Sequence, residues 1–109
     1  MKGYVGELEE LVLLTVAVLG ADAYGVPIKH EIEKRASRTI SLGALHSTIA
    51  RLEEKGFLKS QLGGATHERG GRRKRYFQLT PGGKAALRSI KSLRDDLWLE
   101  AKLNLEVAS

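Results

Sequence analysis

The residues best suited to binding form a basic loop with paired glycines, which runs from Glu68 to Arg75. Five of its eight residues are cationic and one is anionic. So many charged side chains cannot be buried together, so we expect the loop to lie in water, where its field attracts a polyanion. Nucleic acid is the commonest polyanion in a cell, and the loop therefore indicates a nucleic-acid contact.

The sequence lacks the residue groupings that enzymes and metal sites need. It contains no cysteine, which excludes a disulfide, a thiolate nucleophile and a cysteine zinc site, and which fits a reducing, cytoplasmic location. His30, His46 and His67 are too scattered to suggest a metal site. Gly70 and Gly71 lie within a cationic hairpin and not between a strand and a helix, so they are not a nucleotide-binding fingerprint. We therefore expect no enzyme, no metal and no cofactor.

The length of 109 residues allows one small domain with an added helix. A domain of this size buries only about two-thirds of its unfolded surface, so a second copy would help to complete its core. The apolar run over residues 11–19 is too short for a bilayer, which needs about 20 residues. Acidic Glu7, Glu9 and Glu10 precede this run, unlike the basic start of a signal peptide. We expect a buried core helix there and no contact with a membrane.

The charge of the chain is segregated along the sequence. Residues 34–94 carry fifteen basic and three acidic side chains, a net charge of +12, whereas the whole chain carries +5. Residues 1–33 and residues 95–109 are each mildly acidic. A generic solvated surface would mix the two signs, so this separation predicts one basic face.

The spacing of apolar residues predicts four helices and one hairpin. We expect helices over residues 7–19, 24–36, 42–55 and 81 to about 105, with strands over 57–62 and 74–79. Ser41 and Thr80-Pro81 are typical helix starts, and Gly20 and Gly56 are typical helix ends.

Three helices followed by a two-stranded wing is the order of a winged helix-turn-helix. The predicted fold is therefore mainly α, a winged helix-turn-helix with one long C-terminal dimerisation helix. We expect residues 1–80 to form the DNA-binding domain and residues 81–109 to form the dimerisation helix.

The third predicted helix has an apolar stripe on one side and small side chains on the other. The stripe consists of Leu42, Leu45, Ile49 and Leu52. At 100° per residue, the opposite side consists of Gly43, Ala44, Ser47, Ala50, Arg51 and Glu54. A backbone with small exposed side chains can approach another surface closely. In a winged helix-turn-helix this helix enters the major groove, and the wing lies along the backbone or the minor groove.

Segments spread over residues 6–90 resemble the PadR family of bacterial transcriptional regulators. The resemblance is carried by Gly6–Leu14, Asp22–Gly25, Ser41–Leu45, Arg51–Gly56, Glu68–Arg73 with Tyr76, and Leu79–Gly83. It implies a homodimer, made by the C-terminal helix, that binds a double-stranded DNA operator near its target promoter, usually as a repressor. In some members a small aromatic or drug-like effector releases the DNA.

The fold and the resemblance together imply a set of DNA contacts. They are Ser41, Gly43, Ala44, His46, Ser47 and Arg51 around the third helix, Arg69, Arg72, Arg73 and Lys74 in the wing, and Tyr24 before the second helix. His46 stands where the family usually has a tyrosine that reaches toward the DNA backbone, and an imidazole can still donate to phosphate.

Four of these side chains also have a purely structural interpretation. Arg51 could form a surface ion pair with Glu54, Ser47 could be an idle exposed serine, and His46 could pack partly against Tyr76. Tyr24 could be a core or helix-capping aromatic.

The fourth helix supplies the predicted subunit contacts. Leu87, Ile90, Leu93, Leu97 and Leu103 form the expected dimer interface. Trp98, with Leu93 and Leu97, is expected to line a pocket between subunits and to stack on a planar ligand, although simple packing is an alternative. A second functional class also stays open, a winged-helix adaptor that binds protein through the fourth helix without reading DNA.

Overall fold

The computed structural model describes residues 4–63 and 74–107. Its elements are α1 (Glu7–Leu19), a short 3₁₀ turn (Gly20–Asp22), α2 (Gly25–Ala36), α3 (Leu42–Glu54), β1 (Leu58–Leu62), β2 (Arg75–Leu79) and α4 (Pro81–Val107). β1 and β2 pair antiparallel, with Ser60 opposite Phe77. The predicted mainly α winged-helix fold with a long C-terminal helix is confirmed.

The element boundaries differ from the prediction by one or two residues. Tyr24 is the extended residue before α2 and not its first residue, and α3 ends at Glu54, one residue early. Each strand begins one residue later than predicted, so Lys74 precedes β2. α4 continues to Val107.

The core is formed where α1, α2 and α3 meet the inner face of the hairpin. Fully buried side chains from the three helices meet there, including Leu13, Ile28, Leu45 and Leu52, and Phe77 of β2 joins them. The capping predictions are confirmed, because the Ser41 hydroxyl accepts a hydrogen bond from the Ala44 N–H at 3.0 Å. This cap fixes the start of α3.

The predicted core helix α1 is buried on one side and exposed on the other. Val12, Leu13 and Val16 are buried, but Leu14 and Val18 are 45% and 59% exposed. Leu42 was predicted to lie on the apolar stripe of α3 and is also 48% exposed, because the first turn of α3 extends beyond the core.

The first turn of α4 is packed tightly onto the turn between α3 and β1. A Cβ on Gly83 would lie 2.2 Å from the backbone oxygen of Phe57, so only glycine fits at this buried position. The Thr80 hydroxyl caps α4 by accepting from the Gly83 N–H at 3.0 Å. α4 contains 27 residues and is therefore about 40 Å long, so its second half extends away from the body.

Candidate DNA-binding surface

The outer face of α3 consists of small exposed side chains. Gly43, Ala44, Ser47 and Ala50 are all exposed, whereas Leu45, Ile49 and Leu52 on the other side are buried. Ser41 is exposed at the start of the helix, and its hydroxyl is used in the cap. In this arrangement α3 packs firmly on the core and carries only small side chains on its outer side, so its backbone can come close to a partner.

Arg51 lies at the C-terminal end of this face and points back to α1. Its Nε lies 3.4 Å from a carboxylate oxygen of Glu9, and its Nη2 lies 3.2 Å from the Thr48 hydroxyl oxygen. The Arg51 side chain is still 56% exposed. Its ion-pair partner is therefore Glu9 of α1, whereas the sequence suggested Glu54 as the competing partner.

Glu9 is the neighbour of Arg51 that the sequence did not predict. Its side chain is only 7% exposed, and it also accepts hydrogen bonds from Lys55 at 2.8 Å and from the Gly6 N–H at 2.8 Å. Lys55 donates in addition to the backbone carbonyl of Tyr4. The carboxylate thus ties the N-terminus of α1 to the last turn of α3 and sets where Arg51 lies.

The root of the wing is joined to the start of α2. The Phe77 N–H donates to the Ala23 carbonyl at 2.8 Å, and Tyr24 pairs with Tyr76 as an isolated antiparallel bridge. The rings of Tyr24 and Tyr76 meet edge to face, with centroids 5.4 Å apart. The Lys74 ammonium lies 4.4 Å from the centroid of the Tyr24 ring.

His46 lies beside the same junction. It is exposed, and its Nε2 is 3.9 Å from the position that a Cβ on Gly25 would occupy. The structure therefore brings His46 toward the first turn of α2, where Tyr24 and Lys74 also lie. The predicted contacts Arg69, Arg72 and Arg73 lie outside the described residues.

The predicted dimer residues of α4 divide into two groups. Leu87 and Ile90 are partly buried, and Leu87 packs against the core of its own chain. Leu93, Leu97 and Leu103 are 60%, 59% and 72% exposed.

Trp98 is 64% exposed and lines an open groove of about 460 Å³ between α1 and α4. Leu14 and Leu87 form the apolar part of this groove. Arg94 crosses it to Glu10 of α1 at 2.7 Å, and this hydrogen bond raises the pKa of Arg94 above its ordinary value. The groove therefore combines an aromatic ring, aliphatic walls and a charged rim.

Among residues 4–63 and 74–107, no group of histidine, cysteine or carboxylate side chains could hold a metal ion. Within the same ranges, none of the helices is both long enough and apolar enough to span a membrane.

The family model for the transcriptional regulator PadR-like family matches residues 13–89. This chain belongs to the PadR-like family. No curated protein matches the regulator significantly.

Solved structures agree with the assignment. A PadR family transcription regulator from Clostridium difficile has 25% identity and a TM-score of 0.68, and the match covers 87% of this chain and 97% of the other. One from Eggerthella lenta has 25% identity and a TM-score of 0.68, with coverage of 92% and 87%. A PadR-like transcription factor from Bacteroides fragilis has 21% identity and a TM-score of 0.65, with coverage of 94% and 89%, and shows the shared fold.

PadR-family regulators are non-enzymatic DNA-binding proteins, so this regulator is a DNA-binding transcription regulator and not an enzyme.

The Glu9 cluster of the PadR-like regulator makes its stability depend on pH. Burial of the carboxyl raises the pKa of Glu9, but hydrogen bonds from Lys55, the Gly6 N–H and Arg51 together outweigh burial and lower it below 4.5. The ionised group therefore stabilises the fold above that ordinary value, and the contribution is lost as the pH falls through the folded-state pKa.

We expect Glu9→Gln to lower the free energy of unfolding by about 2 kcal/mol at pH 7, because charge-assisted hydrogen bonds to a buried group are lost. The difference from wild type should shrink as the pH falls through the folded-state pKa, because the wild-type carboxyl then becomes protonated. Urea unfolding over a series of pH values from 7 downward measures this. Glu106→Gln, at an exposed residue of α4, is the matched control and should change little. A pH-independent effect of Glu9→Gln would contradict the prediction.

Proposed function

We propose that this PadR-like regulator is a dimeric repressor that places α3 in the major groove of an operator and lays its wing along the DNA backbone. In this proposal residues 1–80 bind DNA and residues 81–109 form the dimer, and the protein acts beside the chromosome in the cytoplasm. The observation that carries the proposal is the exposed face of small side chains on a capped, well-buried α3.

The shape of α3 supports entry into the major groove. The groove is about 12 Å wide and admits one helix. Gly43, Ala44 and Ser47 add little width to the outer side of α3, so its backbone can approach base edges. We assign Ser47 to base or phosphate contact, because a serine hydroxyl can donate and accept.

Basic side chains around α3 supply the proposed backbone contacts. Lys74 and His46 lie near the start of α2 beside Tyr24, and both can donate to phosphate oxygens. Arg69, Arg72 and Arg73, assigned on charge alone, would extend this contact along the wing. Arg51 contributes as a cation that Glu9 holds in place.

Exposed apolar side chains support a dimer through α4. Leu93, Leu97 and Trp98 are exposed on α4, and Leu14 and Val18 are exposed on α1. Contiguous apolar side chains of this kind mark protein contact surfaces on small domains. A second copy that packs its α4 against these residues would bury them and would set two α3 helices about 34–36 Å apart on a near-palindromic site.

The groove beside Trp98 is the proposed effector site. A planar aromatic compound could stack on the indole while Leu14 and Leu87 cover its edges. Because α4 would also carry the dimer contacts, a ligand here could change the spacing of the two DNA-binding domains and release the operator.

Trp98 is the only tryptophan of the chain, so its fluorescence reports on this site alone. We expect a binding compound to quench the emission saturably and to weaken operator binding at the same concentrations. Trp98→Phe should keep DNA binding but weaken the ligand response several-fold, since a smaller ring stacks less well. DNA release without any change at Trp98 would place the effector elsewhere.

Duplex titration separates this function from the adaptor alternative. The regulator should prefer its own upstream region over random duplex, with two chains per site. An adaptor that uses α4 for protein contacts would show no such preference. Selection from a random duplex pool is the test when the upstream region is not known.

A further inference from the structure

The root of the wing is built onto the start of α2 by backbone contacts. β2 has β1 on one side, and on its other side Phe77 donates to Ala23 while Tyr76 bridges Tyr24. Residues 23 and 24 therefore act as a short third strand beside the hairpin. The base of the wing cannot turn without breaking this pairing, so its direction is coupled to α2.

Two aromatic rings fill the space at this junction. The Tyr24 and Tyr76 rings meet at 65°, an edge-to-face arrangement that aromatic pairs favour. Gly63, the residue after β1, lies close to the same ring, because an added Cβ there would be 2.7 Å from Tyr76 Cε1. The Tyr76 ring thus contacts Tyr24 and lies near the backbone at Gly63, and a side chain at residue 63 would displace it.

Lys74 is attached to the same junction. Its ammonium lies over the Tyr24 ring at 4.4 Å from the centroid, and its Nζ donates to the Tyr24 hydroxyl at 3.3 Å. A free lysine has a flexible four-carbon stem and loses entropy when it is ordered on a ligand. A lysine that an aromatic face already holds loses less conformational entropy on binding, and its charge is in place before DNA binds.

We propose that Tyr24 and Tyr76 are positioning residues for DNA binding, which lock the wing root to α2 and hold Lys74 ready as a phosphate contact. The inference rests on the proposed DNA-binding function and adds how the direction of the wing root is fixed. Lys74 makes the contact with phosphate, whereas the two tyrosines act through it and through the backbone bridge.

The test measures duplex affinity against salt concentration by fluorescence anisotropy for the full chain. We expect Tyr24→Leu to bind about tenfold more weakly near 0.1 M salt, and the slope of log affinity against log salt to decrease by about one. Tyr24→Phe keeps the ring face and the edge contact, so it should stay within about threefold of wild type with an unchanged slope. Tyr4→Leu, at a 67% exposed tyrosine near the N-terminus, is the matched control and should bind like wild type.

Two further variants keep the test decisive if Tyr24→Leu unfolds. Gly63→Ala should displace the Tyr76 ring and weaken duplex binding as Tyr24→Leu does, although Tyr24 itself is unchanged. Lys74→Gln should reduce the salt slope by about one, and Tyr24→Leu added to it should reduce the slope no further. Thermal unfolding of each variant confirms that it is folded at the temperature of the titration.

The possible failures are distinct. If wild type binds no duplex at low salt, the proposed function fails and the inference with it. If wild type binds but Tyr24→Leu and Gly63→Ala keep its affinity and slope, the inference alone is overturned. If Tyr24→Phe loses as much duplex affinity as Tyr24→Leu, the hydroxyl itself contacts DNA and the positioning role is wrong.

Discussion

Ala44→Glu is expected to weaken binding of the regulator to its operator at least about a hundredfold while leaving the fold intact. Ala44 is exposed in the first turn of α3, on the face that we propose enters the major groove. A carboxylate there would face DNA phosphates and would also widen the helix, and juxtaposed like charges cost several kcal/mol. Acidic side chains are favourable in the first turn of a helix, so thermal stability should stay equal or rise slightly.

Anisotropy titration with the operator measures this effect. Ala85→Glu is the matched control, because Ala85 is an exposed alanine near the start of another helix and the charge change is the same. The control variant should bind within about threefold of wild type. If Ala44→Glu bound as tightly as the control, α3 would not be the element that docks on DNA.

Leu97→Glu is expected to convert the regulator to a monomer at micromolar concentration. The leucine is 59% exposed in a single chain, so the substitution costs little in folding. In the proposed dimer it would bury a carboxylate among apolar side chains, and symmetry would double the cost. A monomer must bind each half-site separately, so operator affinity should fall about a hundredfold through loss of effective concentration.

Light scattering after gel filtration measures the mass, and the operator titration measures the affinity. Val26→Glu is the control for mass, because Val26 is 66% exposed on α2 and is not part of the proposed interface. This control should remain a dimer. A dimeric Leu97→Glu protein with wild-type affinity would contradict the role given to α4.

Much of the fold follows from local sequence signals. The Ser41 cap and the spacing of Leu45, Ile49 and Leu52 predicted α3 and its exposed face, because helix periodicity and capping act within a few residues. The hairpin was equally predictable from its two strand-like runs on either side of the glycine-containing loop. The remaining boundary errors arise at element ends, where Tyr24 is an extended residue before α2 and Lys74 lies one residue before β2.

The contacts that organise the site were not predictable from local pattern. Arg51 pairs with Glu9, 42 residues away, and Lys74 meets Tyr24, 50 residues away. Only the packing of α1 on α3 and of the wing on α2 brings these residues together. A single sequence also cannot separate apolar positions that are buried in the core from those that stay exposed, which is why the exposure of Leu14 on α1 was missed.

The most direct test of the central claim is selection of duplexes from a random pool by the purified regulator, followed by measurement of the mass of the complex. We predict one enriched near-palindromic site with half-sites one helical turn or a multiple of it apart, bound by two chains, and no enrichment with Ala44→Glu. The account would be contradicted if the wild-type protein enriched no duplex from the pool at a salt concentration where the protein is folded.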